Sequence, residues 1–121
     1  MAATRRPGGF DAALCFDVVE HVDDPVAFLQ RLEARASLVV VNLLEPDPDD
    51  THLHRPLPVR RLLDRATRMG LVHHHRYGGR SHLLAYRTDG TVPRRDSLRA
   101  RWEGHKDILA ERLTGLPRRL G

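Results

Sequence analysis

Two apolar runs of strand length, separated by one helix-length segment, constrain the fold of this chain most strongly. The first run covers residues Ala12–Val19 and the second covers Leu38–Leu44. Between them, Asp24 can cap a helix whose first position is Pro25, and apolar residues then recur at helical spacing as far as Ala36. Strands that are apolar on both faces belong in the middle of a parallel sheet. The pattern predicts a strand–helix–strand unit with a right-handed crossover, typical of α/β proteins.

The rest of the chain continues the alternation of strands and helices. The expected elements are a helix from about Pro58 to Met69, strands Leu71–Tyr77 and Ser81–Thr88, and a last helix from about Ser97 to Leu113. Gly70 stands where a left-handed residue often ends a helix. The predicted order is therefore β-α-β-α-β-β-α.

The composition favours one folded domain without internal disulfide bonds. The chain has 121 residues and a single cysteine, Cys15, which excludes an internal disulfide framework. No apolar run approaches the roughly 20 residues of a membrane span, and the first residues lack the apolar core of a secretion signal. We therefore expect a cytoplasmic protein that does not interact with membranes.

The charge of the chain is divided unevenly along its length. Residues 11–50 hold ten acids and two arginines, whereas residues 51–121 hold sixteen bases and six acids. A basic half of this kind can bind nucleic acid. Nucleic-acid readers usually interleave bases with stacking aromatics, however, and this chain has only six aromatic residues. Solvated arginine faces are the preferred interpretation, and nucleic acid is not the expected partner.

The first strand and the turn after it carry a family resemblance. The stretch Phe10–Pro25, with Phe-Asp before the strand and Glu20-His21-Val22 after it, resembles the fourth-strand motif of class I S-adenosylmethionine-dependent methyltransferases. Further segments resemble later family elements in order: the fifth strand at Ser37–Asn42, a helix and the entry to the sixth strand at 57–72, and the seventh strand at His82–Arg87. The resemblance implies an α/β fold with a partial Rossmann-like methyltransferase sheet. Its strands are equivalent to 4, 5, 6 and 7, with flanking helices, and strand 7 is antiparallel.

The resemblance covers only the C-terminal half of such a domain. The family's first strand and its glycine-rich cofactor loop have no counterpart, because Gly8 and Gly9 follow no strand and precede no helix. We expect an N-terminal arm over residues 1–9, the half-domain over 10–90, and a turn with an amphipathic helix over 91–121. Without a first strand, the edge of Ala12–Val19 is unpaired, which favours a homo-oligomer or a partner chain that pairs there.

The candidate site lies at the carboxyl end of the first strand, where open parallel sheets bind ligands. The resemblance implies S-adenosylmethionine as cofactor, with Phe16, Asp17 and Val18 in contact with it. It also makes Glu20 and His21 the candidate catalytic residues. His21 is a plausible base because its ordinary pKa is about 6.5. Alternatively, Glu20 and His21 hold the turn after the strand by hydrogen bonds.

A small-molecule acceptor is expected on the neighbouring side. Asn42, His52 and His54 are the candidate substrate-binding residues, although Asn42 could instead cap the end of its strand. The two loop histidines, with Glu20 and His21, could form a two-His, one-carboxylate metal site. We expect no metal, because family members that act on small molecules carry these residues without one.

The histidine tract at residues 73–75 is not expected to bind a metal either. Neighbouring side chains on a strand point to opposite faces, so His74 faces away from His73 and His75. The preferred interpretation is a partly exposed strand with polar filler residues.

Three functions remain open from the sequence. The first is a methyltransferase fragment that moves a methyl group to a small-molecule acceptor. The second is a catalytically silent methyltransferase-like subunit that binds a protein partner. The third and weaker one is an RNA methyltransferase or RNA-binding module that uses the arginine-rich half.

Overall fold

The structure is a computed structural model. It describes the backbone of residues 2–6, 9–45, 59–77 and 80–114. Side chains are described for residues 9–19, 21–45, 59–77 and 80–106. Within these ranges the chain forms five strands, three α-helices and one short 3₁₀ turn. The elements in chain order are β1 (Ala2–Arg6), β2 (Gly9–Cys15), the 3₁₀ turn (Val19–His21), α1 (Pro25–Glu33), β3 (Ala36–Leu44), α2 (Val59–Met69), β4 (Leu71–Tyr77), β5 (Ser81–Arg87) and α3 (Arg94–Thr114).

The strands form one mixed sheet in the order β1-β2-β3-β5-β4. Strands β2 and β3 are parallel and are joined through α1, which confirms the predicted strand–helix–strand unit. Strand β5 is antiparallel to both of its neighbours, β3 and β4. The described fold is a mixed α/β fold, compatible with the predicted class, and β4 runs in the same direction as β2 and β3. The expected parallel sheet is not found among the described strands, because only the β2–β3 pairing is parallel and the other three pairings are antiparallel. No helix in the described ranges is long and apolar enough to cross a membrane.

The first helix begins as its sequence predicts. The Asp24 carboxylate accepts a hydrogen bond from the Ala27 N–H at 3.0 Å, and Pro25 occupies the first helical position. An Asp cap of this kind stabilises a helix by about 1 kcal/mol, and proline loses nothing at a position whose N–H has no helical partner. The helix ends at Glu33 rather than Ala36 because β3 already begins at Ala36.

The outer edge of β2 differs from the expectation. The N-terminal arm contains β1, which pairs antiparallel with β2 from Ala2↔Leu14 to Arg6↔Gly9. The prediction that this strand edge is unpaired is corrected, because β1 bonds to the backbone groups that would otherwise be open. The statement that Gly8 and Gly9 follow no strand is corrected too, since they follow β1; Gly9 begins β2, however, so the pair still precedes no helix. Along this side, the outer edge of the sheet is β1 itself.

One core holds the sheet and the helices together. The buried strand residues alternate along β2, β3 and β5, so that Ala13, Val39 and Tyr86 share one face of the sheet. Buried residues of α1 and α2 join the same cluster, and α3 packs along β4. This arrangement follows from the period-2 pattern of the strands and the apolar stripes of the helices.

A charged group is enclosed between three elements of this core. The Glu33 carboxylate at the end of α1 accepts a hydrogen bond from the Tyr86 hydroxyl at 2.8 Å and forms an ion pair with Arg65 of α2. The Glu33 side chain is only 5% exposed. The hydrogen bonds that Arg65 donates to Glu33 raise the pKa of Arg65, and burial raises the pKa of Tyr86 well above its usual range. The carboxylate is tolerated because both partners satisfy it, and it ties α1, α2 and β5 together.

Candidate functional site

The carboxyl ends of β2 and β3 lie side by side because the two strands are parallel. Strand β2 ends at Cys15, four residues before the predicted end at Val19. The chain leaves the sheet at Asp17, whose φ of 57° is in the left-handed region. Asp tolerates this conformation better than most residues because its short side chain can bond locally. The strand therefore cannot continue through Asp17.

Asp17 is held in place by Asn42 from the neighbouring strand. The Asp17 N–H donates to Asn42 Oδ1 at 2.7 Å, and Asn42 Nδ2 donates to Asp17 Oδ1 at 3.1 Å. Asn42 is 6% exposed, so this reciprocal pair satisfies an amide that would be costly to bury alone. The structure thus brings two of the predicted site residues together, one from each strand end. Asn42 acts here as the partner of Asp17 beyond the end of β2, and it lies two residues before its own strand ends at Leu44.

Two large apolar side chains are exposed on either side of Asp17. Phe16 is 50% exposed and Val18 is 39% exposed, whereas the next residue, Val19, is fully buried. The aspartate is itself exposed. The strand end therefore offers a carboxylate between an aromatic and an aliphatic side chain, which is suited to contact a ligand with both apolar and polar parts.

Of the other predicted site residues, only His21 has a described side chain. His21 is exposed in the 3₁₀ turn, and its N–H donates to the Val18 carbonyl at 2.9 Å. The Glu20 backbone belongs to the same turn, but its side chain lies outside the described residues. His52 and His54 also lie outside the described residues.

A second polar cluster, which the sequence analysis missed, lies where β3 ends and β5 begins. Glu45 Oε1 lies 2.7 Å from His82 Nε2, and His82 Nδ1 lies 2.9 Å from His74 Nε2. At the far end, His74 Nδ1 lies 3.4 Å from the Arg101 carbonyl of α3. We call Glu45, His82 and His74 the histidine chain. Both imidazoles are buried, at 3% and 4% exposure.

The protonation of the histidine chain follows from its carboxylate end. The Glu45 carboxylate accepts a hydrogen bond from His82 Nε2–H, so His82 Nδ1 carries no proton and accepts a hydrogen bond from His74 Nε2–H. Two neutral imidazoles then leave His74 Nδ1 without a proton, facing a carbonyl oxygen. The histidine chain can therefore bind one further proton at His74 Nδ1, and all three contacts are then hydrogen bonds.

Burial opposes that uptake at neutral pH. Burial, with a contribution from the neighbouring His82, lowers the pKa of His74 from 6.5 to about 4. Burial also lowers the pKa of His82, although the hydrogen bond to Glu45 partly opposes this effect. The two imidazoles of the histidine chain are therefore neutral near pH 7, and they gain a proton only in acid.

The histidine tract alternates across the sheet as predicted. The rings of His73 and His75 stack with centroids 6.2 Å apart, while His74 points to the core. The interpretation of His74 as polar filler on a partly exposed strand is wrong, because His74 is buried and bonded to His82. A strict alternation from the buried Leu71 would place His73 on the core face; the register shift between Leu71 and His73 places His74 there instead, which the sequence pattern does not reveal.

The described part of the chain contains no group of three or more metal-ligating side chains that could hold a metal ion. Comparisons with protein-family models, curated proteins and solved structures gave no significant match.

Proposed function

We propose that this chain supplies the acceptor side of an S-adenosylmethionine-dependent methyltransferase site, with a small molecule as the methyl acceptor. The proposed site is the carboxyl edge of β2 and β3. The observation that carries the proposal is the exposed, left-handed Asp17, fixed by Asn42 and flanked by Phe16 and Val18. The antiparallel direction of β5 agrees with the family resemblance and supports it further.

The fixed backbone at Asp17 suits a binding site better than a simple strand end. A non-glycine residue with positive φ is uncommon, and such residues cluster at ligand sites where neighbours hold them. Here the two hydrogen bonds to Asn42 hold it. The side chain oxygen that accepts from Asn42 is Oδ1, so Oδ2 is placed to accept from a ligand hydroxyl.

The residues present fit one side of the proposed cofactor. Phe16 and Val18 can pack against an apolar or planar part of it, and Asp17 can accept hydrogen bonds from its hydroxyl groups. When bound, S-adenosylmethionine supplies an electrophilic methyl group on a sulfonium. The glycine-rich loop that the family uses on the opposite side has no counterpart in this sequence. A second copy of this chain is proposed to supply the missing contacts, so that the purified protein can bind the cofactor as a homo-oligomer.

His21 is the proposed proton acceptor for the methyl acceptor's hydroxyl or amine. Methyl transfer is an in-line displacement, for which a protein mainly provides position and, where needed, a base. Exposure of His21 on the turn leaves it within reach of solvent and of a bound small molecule. In the proposed site, Asn42 acts through Asp17: it is a positioning residue that holds the aspartate by two hydrogen bonds.

Calorimetric titration with S-adenosylhomocysteine, the product form of the cofactor, tests the proposal. We expect a dissociation constant at or below about 100 µM, equivalent to at least roughly 5 kcal/mol of binding free energy. Phe16→Ala should weaken binding at least fivefold. Val72→Ala is the matched control, because Val72 is also 50% exposed but lies on β4. Absence of binding heat from folded protein at two temperatures would reject cofactor binding by this chain alone.

The pairing of β1 favours a second candidate, a catalytically silent subunit of the same family type. In the family, the first strand pairs with the fourth, and β1 occupies that position along β2. The edge is thus closed by a strand that is not followed by the family's glycine-rich cofactor loop and a helix. A stoichiometric complex with another protein from the native source, together with no binding of S-adenosylhomocysteine by this chain alone, would favour this candidate. Both candidates keep the cytoplasmic location expected from the sequence.

A further inference from the structure

A cavity of about 670 Å³ opens between α2, α3 and the ends of β4 and β5. It is lined by residues of all four elements and by Glu45, which follows β3. Cavities that hold small organic ligands have volumes of this order. The Asp17 side chain and its exposed neighbours do not line it, so this cavity is distinct from the site proposed above.

Much of the cavity wall is apolar. Val59 and Leu63 of α2 face it from one side, and Leu98 and Trp102 of α3 face it from another. Leu98 is 47% exposed and Trp102 is 51% exposed. They are four residues apart and therefore lie next to each other on one face of α3. Two large apolar side chains left exposed together on a cavity wall mark a contact surface for a ligand.

The aromatic ring of His105 extends this apolar wall. The His105 ring lies next to Trp102 with their centroids 5.9 Å apart and their planes tilted by 47°. An indole offers a flat face of high polarisability, on which a planar ring can stack. The wall therefore suits a ligand with an aromatic body better than one that is polar throughout.

The charged residues of the lining have an excess of positive charge. Arg60, Arg76 and Arg101 come from three different elements, whereas Glu45 is the only acidic side chain among the described lining residues. The Glu45 carboxylate already accepts a hydrogen bond from His82 and lies 3.7 Å from Arg76. It is thus partly neutralised within the wall and offers little to a cationic ligand.

The ion pair between Arg101 and Asp64 does not remove the excess of positive charge in the cavity lining. Arg101 Nη1 forms an ion pair with Asp64, which lies outside the cavity lining. With Asp64 included, the arginines still outnumber the carboxylates. The guanidinium carries five N–H donors, so one that is anchored by Asp64 can also donate to a ligand carboxylate. The floor of the cavity is polar but neutral, because the two imidazoles of the histidine chain are uncharged near pH 7.

We infer that this cavity is a binding site for a small organic anion with an aromatic body. The aromatic part stacks on Trp102 beside Leu98, and the carboxylate or equivalent anionic group faces Arg101 and Arg76. The histidine chain closes the floor with a hydrogen-bonding surface. The inference does not depend on methyl transfer, since none of the residues used for that proposal takes part.

The test uses 2-naphthoate as the probe and the single tryptophan as the reporter. Because Trp102 is the only tryptophan, ¹⁵N-labelled protein gives one indole N–H signal in a heteronuclear NMR spectrum. We expect 2-naphthoate to shift this signal in a saturable way, with a dissociation constant below about 1 mM. The neutral isostere 2-naphthamide and the cation 2-naphthylmethylammonium should each bind at least tenfold more weakly.

A charge introduced on the wall provides the second arm. Leu98→Glu adds a carboxylate at an exposed position beside Trp102 and should weaken 2-naphthoate binding at least tenfold. Val72→Glu makes the same change at a position of similar exposure outside the cavity lining and should leave the affinity within twofold. Equal affinity for the anion and the cation, an unchanged affinity in Leu98→Glu, or no saturable shift in the folded protein would each overturn the inference.

Discussion

Replacement of Gly104 with alanine tests the close contact between α3 and β4. Gly104 is buried within α3, and a Cβ atom at this position would lie 2.1 Å from Nδ1 and 2.4 Å from Cγ of the His74 ring. Carbon atoms do not approach a ring this closely, so the ring or the helix must move. The ring is held, because His74 is 4% exposed and bonded to His82 at 2.9 Å.

The expected effect is opposite to the one that helix propensity predicts. In a helix interior, alanine is favoured over glycine by about 1 kcal/mol. Overpacking of a tight contact costs about 1–3 kcal/mol, and displacement of the His74 ring adds about 1 kcal/mol for its lost hydrogen bond. Gly104→Ala should therefore lower the free energy of unfolding by about 1–3 kcal/mol.

A double-mutant cycle separates the steric contact from helix propensity. His74→Ala removes the ring, so Gly104→Ala in that background should raise the free energy of unfolding by about 1 kcal/mol. Urea denaturation followed by far-ultraviolet circular dichroism measures all four proteins. Glu103→Ala, on the exposed side of the same helix turn, is the control and should change stability by less than about 0.5 kcal/mol. If Gly104→Ala stabilised the wild-type background, the close packing of α3 on β4 would be refuted.

Three further predictions follow from the buried polar groups. Between pH about 6.5 and about 4, the unfolded chain binds a proton on His74 that the folded chain does not, so the free energy of unfolding should fall by up to about 3 kcal/mol as the pH falls through this window. Urea titrations at pH 7 and 4.5 measure this loss, and it should be smaller in His74→Phe. Asn42→Ala removes both hydrogen bonds to Asp17 and should cost about 1–3 kcal/mol, measured by thermal denaturation; an unchanged midpoint would mean that the pair does not hold the strand ends. Tyr86→Phe removes the hydroxyl that donates to the Glu33 carboxylate and should cost about 1.5–3 kcal/mol in the same assay, whereas a neutral result would show that Arg65 alone satisfies that carboxylate.

The strand–helix–strand unit could be predicted because its signals are local. Alternating and continuous apolar runs mark β2 and β3, and Asp24-Pro25 marks the start of α1. Each of these signals acts within a few residues of chain. The predicted ends of the elements were less accurate. The end of β2, for example, depends on Asp17, whose conformation is held by Asn42, 25 residues away in the sequence.

The role of the N-terminal arm could not be read from its composition. Residues Ala2–Arg6 show no apolar alternation, so nothing local distinguishes a strand from an irregular arm. They pair with β2 because an apolar strand with an open edge is costly and the arm is the nearest backbone. This outcome depends on the edge, which exists only after the sheet has formed.

The sequence by itself determined four of the five described strands and the three helices, and it placed Asp17 and Asn42 near strand ends, because periodicity and capping act over short distances. Only the tertiary structure decided that His74 and His82 form one chain with Glu45, a residue 37 positions before His82. It also decided that Leu98 and Trp102 of α3 share a cavity with three arginines from separate elements. Burial, pKa shifts and cavities arise where distant segments meet, and this meeting is set by the packing of helices on the sheet rather than by any local pattern.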